Sequence, residues 1–281
     1  MAMAVTATVA MAAMAVTAVM VATVAMVVTV VMAVMAVTIS GMSMSMATSN
    51  WRLTDFHAHC LPAIDDGAAD VTMAKAMLKV AGDQGVDTVV ATPHFYWGDH
   101  SVPTFLEQRR AALAALQPHL KGLPKLVLGA EVLLREGISR VDLRPLCLEG
   151  TDILLVELPF MRAPGWLIEE LENIAYNQQL TIMLAHLDRY MPWYSSERIA
   201  SLLELPDVIV QLNADSLADR HYIKALSKWL PTPSRLVLGS DMHDTTERAP
   251  MLSEAVARME KKRFSREWLE QVEATTHVLL P

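Results

Sequence analysis

The chain has 281 residues, 53% of them apolar and 19% charged, with a formal charge of -8 at pH 7. That length supplies one large core or two small ones, and the acidic balance excludes a broad non-specific grip on nucleic acid or on an anionic membrane. Two cysteines, Cys60 and Cys147, make neither a disulfide framework nor a paired thiolate zinc motif. A reducing compartment, the cytoplasm, is therefore expected, and a metal site here must be built from His, Asp and Glu.

Residues 1–50 are almost wholly Met, Ala, Val and Thr, and the first charge is Arg52. A membrane span needs about 20 apolar residues, which Met1–Val37 exceeds. The basic flanks and aromatic belt that anchor a span are missing, as is the positive start of a secretory signal. Near-repeats such as "MAV" and "VTAV" read as low complexity. Met42, Met44 and Met46 precede the folded part, so a start codon assigned too early gives the same appearance. An early start, a membrane anchor and a processed leader all stand open. The segment is set apart as a low-complexity extension, and a membrane is a partner only if it anchors the chain.

From residue 51 onward, short apolar runs alternate with amphipathic helical patterns. The runs are "RLTDFHAH", "VDTVVATPHF", "KLVLGAEVLL", "DILLVELPF", "LTIMLAHLDRY", "DVIVQLNADS" and "RLVLGSDMHD". Between the first two lies "AADVTMAKAMLKVAGDQG", where Asp70 is the expected N-cap and Gly82 or Gly85 the stop. Such alternation predicts parallel βαβ units. The runs carry polar residues at their ends: His57 with His59, His94, Glu131, Glu157, His186, Asn213, and Asp241 with His243. A barrel of parallel strands gathers its strand C-termini at one face, where chemistry is placed. Seven units predict a distorted (β/α)7 barrel, an α/β TIM-like fold, rather than the eightfold form.

Glu131 and Glu157 sit inside apolar strands, where an unpaired carboxylate costs several kcal/mol unless a cation meets it. Together with five histidines at strand ends they predict a polynuclear metal site. His100, His119, His221 and His277 fall in loops or helices and read as surface residues.

The motifs "DFHAH", "DDG" at 65–67, "TPHF", "GAE", "VELPF", "AHLDRY" and "SDMH" resemble the polymerase-and-histidinol-phosphatase (PHP) superfamily. Within it they are similar to the bacterial manganese-dependent protein-tyrosine phosphatases of capsule and exopolysaccharide operons. The resemblance runs from about Trp51 to the C-terminus and implies a PHP-type metallophosphatase domain over 51–281. It implies three divalent ions. His57, His59, Glu131 and Asp241 would hold one; Glu131 would bridge to a second held by Glu157 and His186; Asp66, His94 and His243 would hold the third. Mn²⁺ is the ion the resemblance favours, although all-N/O ligation also suits Fe or Zn²⁺. Arg189 and Arg248 match arginines with which the family holds phosphate. The implied reaction is attack of metal-activated water on phosphotyrosine, and the implied partner is a bacterial tyrosine kinase that controls polysaccharide export.

A thiolate phosphatase is excluded, because the sixth residue after Cys60 is Asp66 and after Cys147 is Ile153, where a phosphate-binding Arg is needed. An amidohydrolase is disfavoured by Glu157, where its binuclear members carry a modified Lys. Histidinol phosphate or another small phosphomonoester remains open as substrate, as does a non-catalytic role in binding a kinase. No general acid is evident; Asp188, Asp244 and His100 are candidates. Phe95, Tyr96 and Trp97, and further along Phe160, Trp166, Tyr190 and Trp193, are candidates to stack on a phosphotyrosine ring. Oligomeric state is not written in the sequence.

Overall fold

The computed structural model describes residues 53–218, 235–262 and 266–280. The extension 1–50, Trp51 and His221 lie outside the described residues, as does the side chain of His277. The described residues form nine strands: β1 Leu53–Ala58, β2 Val86–Ala91, β3 His94–Phe95, β4 Lys125–Leu128, β5 Glu131–Leu133, β6 Ile153–Glu157, β7 Thr181–Leu184, β8 Ile209–Asn213 and β9 Leu236–Gly239. The described helices are α1 Val71–Asp83, α2 Val102–Leu116, α3 Leu167–Asn177, α4 Ser196–Leu203, α5 Ala214–Ala218, α6 Leu252–Lys262 and α7 Arg266–Leu279. Asp70 caps α1 as expected, its Oδ1 accepting from Met73 N at 2.8 Å. The stop is Gly85, whose φ of 86° lies in the left-handed region open to glycine.

All pairings are parallel, in two sheets of order β1-β2-β4 and β3-β5-β6-β7-β8-β9. Two of the seven expected runs are therefore each broken in two. "VDTVVATPHF" splits at Thr92–Pro93, where proline has no N–H to give a ladder, and "KLVLGAEVLL" splits beside it at Gly129–Ala130. Gly129 N donates to Ala91 O (2.9 Å) and Glu131 N to Pro93 O (3.1 Å), so the backbones stay joined across the break. As a result His94 and Glu131 open short strands instead of closing long ones. His59, His186, Asp241 and His243 lie just beyond their strands rather than within them.

The strand pattern separates two apolar clusters. Phe56, Val90, Val127, Leu155, Met183 and Val237 belong to a small cluster built mainly from strand residues, while alternate residues such as Leu154, Val156, Leu184 and Leu212 join the larger one shared with the helices. Glu157 follows Ile153 and Leu155 at a spacing of two, and Gln211 and Asn213 follow Ile209 in the same way. Polar groups are thus stacked above the small cluster on the same faces of their strands. The first and last strands meet at this level: Ala58 bridges Met242, Asp241 N donates to His57 O (2.8 Å), and His59 N to Met242 O (3.0 Å). Among the described residues no helix is long and apolar enough to cross a membrane.

Asp55 clamps that junction. Fully buried, it accepts from Ser240 N at 2.8 Å, Ser240 Oγ at 2.6 Å and His57 N at 3.1 Å. Burial pushes its carboxyl up from 3.8 to about 6, with the Ser240 hydrogen bonds opposing it only in part. The folded chain then holds this proton more tightly than the unfolded one. Its stabilising contribution is present below the ordinary value and is lost as pH rises through about 6. In metal-free protein, the stability of the unsubstituted chain relative to Asp55→Asn should fall by roughly 2–3 kcal/mol across that window. Urea midpoints at several pH values read it, and a difference that stays flat or rises would refute the assignment.

Candidate metal centre

The nine ligands expected from the sequence converge at the end of the strands, with Glu131 at the hub. Its Oε2 lies 3.1 Å from His57 Nε2, 3.2 Å from His59 Nε2 and 3.0 Å from His94 Nδ1, and its Oε1 lies 2.8 Å from His186 Nε2. The tautomers can be worked out from fixed donors. The backbone N–H of His186 reaches a Gln211 side-chain atom at 2.7 Å, so that atom is the amide oxygen. The same oxygen stands 3.0 Å from His57 Nδ1, which must carry the proton and leave Nε2 as a lone pair. Asp65 Oδ2 accepts from His59 Nδ1 at 2.7 Å, and the Asp241 carbonyl accepts from His243 Nδ1 at 2.9 Å. In their neutral form, the one a metal requires, three histidines therefore aim Nε2 lone pairs into the site, the Nε2 atoms of His57 and His59 lying only 3.1 Å apart.

Lone pairs brought this close to each other and to a buried carboxylate repel unless a cation or proton lies between them. His94 Nδ1, Glu131 Oε2, His186 Nδ1 and His243 Nε2 are buried without a well-formed hydrogen bond, although His94 Nδ1 lies 3.0 Å from Glu131 Oε2 and His243 Nε2 3.3 Å from Asp66 Oδ1, a pattern rare for buried polar atoms. Electrostatics agree. Burial alone would lower His59, yet Asp65 and Glu131 raise it to about 10; His57 is raised as well, against its own burial, by Glu131 and Asp241. Glu131 and Asp241 are held low despite burial, chiefly by His57. Glu157 is pushed up to about 7 by burial and the charge of Glu131. The cage draws in positive charge, and this donor set fits divalent metal.

Four overlapping groups offer ligand atoms within 4.8 Å of one another: His57, His59 and Asp241; His57, Glu131 and His186; His94, Glu131 and Glu157; and His59, Asp66, His94 and His243. The clusters differ from the three expected sets in their sharing, since His57, His59 and His94 each reach two of them. Asp66 is the most solvent-exposed member, its side chain 65% accessible.

Local backbone is bent to achieve this. His186 (φ 30°) and Asp241 (φ 53°) are left-handed without being glycine, a strain of about 1–3 kcal/mol each that the surroundings must hold. Hydrogen bonds from their own N–H groups to Gln211 and to His57 O do so. Two glycines make room. A Cβ on Gly67 would fall 2.1 Å from His59 O, and one on Gly239 would fall 2.6 Å from both Gln211 Nε2 and His57 Cβ.

Arg189 Nη1 and Arg248 Nη2 donate to Asp241 Oδ2 and Oδ1, each at 2.9 Å, and both guanidiniums are about two-fifths exposed. They line a cavity of about 570 Å³ over the cluster, whose apolar wall is Tyr96, Leu133, Pro159 and Phe160. Phe160 stacks on His186 (5.6 Å) and lies 5.1 Å from the Arg189 guanidinium. Of the seven candidate aromatics only Tyr96 and Phe160 line this cavity. Phe95 and Tyr190 are fully buried, the Tyr190 hydroxyl accepting from Leu158 N at 2.7 Å. Trp166 packs against the core, Trp97 lines a neighbouring cleft, and Trp193 is exposed.

None of the candidate acids reaches the cavity. Asp188 is fully buried and spends both oxygens on Asn213 N and Ser216 Oγ; Asp244 accepts from Thr246 N and Arg248 N and shapes that turn; His100 is exposed beside the neighbouring cleft. His119 is exposed as expected. Sequence reasoning missed Asp65 and Gln211, which orient ligands, and Arg135, a third guanidinium on the cavity wall. Gln211 was detectable as a polar residue two positions before Asn213 in an apolar strand, and Asp65 as the first carboxylate of "DDG". Arg135 carries only the weak signal of following a ligand-bearing strand.

Comparison with known proteins accords with this architecture. The sequence model of the family described as capsular polysaccharide synthesis, CpsB/CapC, matches residues 53–276. The chain is 27% identical over 219 residues to the tyrosine-protein phosphatase YwqE of Bacillus subtilis (strain 168), covering 75% of this chain and 85% of that protein. It is 23% identical over 227 residues to the tyrosine-protein phosphatase CpsB of Streptococcus pneumoniae, covering 75% and 90%. Among solved structures it matches one from work on YwqE and CpsB, described as unique metal-dependent tyrosine phosphatases. The TM-score is 0.69 at 24% identity, over 81% of this chain and 94% of that one. A TatD-family hydrolase from Entamoeba histolytica shares the fold at TM-score 0.50 and 11% identity, over 83% and 99%. Because the family match runs from β1 into α7, the chain belongs to the CpsB/CapC family of capsular polysaccharide synthesis.

Proposed function

We propose that this chain is a metal-dependent protein-tyrosine phosphatase, acting on a bacterial tyrosine kinase that regulates capsular or exopolysaccharide synthesis. The observation that carries it is the cage of imidazole nitrogens and buried carboxylates around Glu131, faced by two guanidiniums across an aromatic-walled cavity. The names of YwqE and CpsB support the substrate. In this reading His57, His59, Glu131 and Asp241 hold one ion, Glu131, Glu157 and His186 a second, and Asp66, His94 and His243 a third, with Mn²⁺ ahead of Fe or Zn²⁺. Such ions supply Lewis-acid polarisation of phosphoryl oxygen and a water acidic enough to attack phosphorus near neutral pH.

The protein's own groups do the rest. Arg189 and Arg248 hold phosphoryl oxygens by charge-assisted hydrogen bonds, and ligation of Asp241 weakens its hold on them. Tyr96 and Phe160 flank the leaving aryl ring. Tyrosinate leaves without a general acid, consistent with the burial of Asp188 and the place of His100 in the neighbouring cleft. The junction of β1 with Asp241 and Met242 supports reading both sheets as one distorted (β/α)7 barrel of the PHP type, over residues 51–281, with 1–50 as an extension. Buried, unpaired Cys60 and Cys147 are in keeping with a cytoplasmic protein.

The deciding assay follows phosphate release by the full chain from a phosphotyrosyl peptide and from histidinol phosphate, after chelation and again with Mn²⁺. Peptide turnover restored only by metal is expected; turnover of histidinol phosphate alone would keep the site and overturn the substrate, and turnover of neither would favour a binding-only role. His59→Ala and Asp241→Ala should each lower metal-dependent turnover by about 100-fold or more with far-UV circular dichroism unchanged. Full activity in either would remove the site. Arg248→Ala should lower kcat/KM by about 10- to 100-fold, because it removes a donor to the transferring group; unchanged kinetics would remove its role.

Protons and metal compete for the same lone pairs. Glu157 at about 7 and His59 at about 10 in the metal-free chain mean that binding expels protons. Apparent affinity for Mn²⁺ should therefore fall as pH drops below about 10 and more steeply below about 7, with proton release measurable by titration calorimetry in buffers of different ionisation enthalpy. A pH-independent affinity would contradict the cage.

A further inference from the structure

A second cleft, of about 830 Å³, opens beside the catalytic cavity, and the segment Tyr96–Ser101 separates the two. Its residues are divided between them. Tyr96 lines the catalytic cavity and stacks on His94 (5.1 Å), Trp97 lines the second cleft, and Asp99 lines both. The partition is held by its own turn, Asp99 N and His100 N reaching Tyr96 O at 3.1 and 3.4 Å. It is also held by Arg135, whose Nη1 donates to Trp97 O at 2.7 Å while its guanidinium lies 5.9 Å from the Tyr96 ring. Arg135 itself lines the catalytic cavity, so the wall of one compartment fixes the rim of the other.

The second cleft has an apolar floor and an acidic rim. Trp97, Val102, Leu106 and Val141 are half-buried side chains packed on the core. Glu107 and Asp142 set two carboxylates against the guanidinium of Arg110, while Asp99, between the two compartments, pairs with Arg135 at 3.8 Å. The catalytic cavity shows the opposite character above its ligands, with Arg135, Arg189 and Arg248 on its walls. A phosphate dianion is drawn to one compartment and a cationic side chain to the other.

We propose that this cleft is a peptide subsite for the segment flanking the phosphotyrosine, taking an apolar side chain with Lys or Arg beside it. The proposal rests on the phosphotyrosine reading above. It gives the enzyme a reason to prefer a protein over a small phosphomonoester, since a small ester fills the catalytic cavity alone.

The test uses the full Mn²⁺-loaded chain and two phosphotyrosyl peptides of equal length, one with Leu-Lys flanks and one with Glu-Glu flanks. p-Nitrophenyl phosphate serves as a substrate too small to reach the cleft. In the double variant Glu107→Lys/Asp142→Lys, KM for the Leu-Lys peptide should rise about three- to tenfold and KM for the acidic peptide should fall. kcat, and kcat/KM for p-nitrophenyl phosphate, should stay unchanged. The same inversion is expected in Kd for peptides carrying a non-hydrolysable phosphonate in place of the phosphate. Equal shifts for both peptides, or no shift, would overturn the subsite. Failure of the unsubstituted chain to hydrolyse p-nitrophenyl phosphate would sink the phosphatase reading instead, and the phosphonate Kd values would still decide the cleft.

Discussion

The Glu131 carboxylate sets the terms for everything around it. It is 1% exposed and has four imidazole nitrogens within 3.2 Å, three of them crowded on one oxygen. A charge so deep costs several kcal/mol to desolvate unless it is compensated. Among the described residues no Lys or Arg pairs with Glu131; compensation comes from protons on the imidazoles in the metal-free state and would come from cations with metal bound. The apolar cluster of Phe56, Val127, Leu155 and Met183 beneath it provides the low-polarity floor that strengthens those interactions.

Aim matters as much as composition. An imidazole rotated by one ring flip presents N–H rather than a lone pair, so a ligand set without orienting acceptors is only half specified. Gln211 does this for His57 and at the same time fixes the left-handed backbone at His186 through one amide oxygen. Asp65 does it for His59 while also accepting from His94 N and Gly67 N, which ties two ligand-bearing segments to the loop of Asp66. The strained conformations at His186 and Asp241 are held by the same hydrogen bonds that orient the ligands, so fold stability and site geometry are not separable there.

Most of the site was legible because its residue types are out of place. A glutamate between Ala130 and Val132, or a His-x-His after an apolar run, violates the burial pattern of its own strand, and such violations mark function. The alternation of strand and helix likewise exposed the parallel α/β class. What escaped was whatever looks ordinary in one dimension. Asp65 is shadowed by Asp66, Arg135 is one arginine among many, and the breaks at Pro93 and Gly129 are hidden because hydrogen bonds continue across them. The aromatic candidates failed for a related reason. Phe95 and Tyr190 follow ligand-bearing segments as Tyr96 and Phe160 do, but which of them faces the cavity depends on packing, of Phe95 against Phe105 in the next helix and of Tyr190 against Tyr194 four residues on.

Asp241 shows how the two halves of the site depend on one another. It is held as a carboxylate by His57 and accepts one guanidinium on each oxygen, from Arg189 and Arg248. Its Oδ1 also lies 3.7 and 3.6 Å from the Nε2 atoms of His57 and His59, within reach of an ion they would share. One carboxylate cannot serve a divalent cation and two arginines at full strength, because each partner withdraws charge from the others. With a cation on Asp241, both guanidiniums, which are already two-fifths exposed and line the cavity, would be held less tightly and would keep unmet donors for an anion. Without a cation the same arginines neutralise the carboxylate and the cavity is poorly prepared for an anion. On the proposed reading a metal here would do more than activate the reaction: with Asp241 ligated, Arg189 and Arg248 would be free to meet phosphate, and ion and substrate would bind cooperatively through a single side chain.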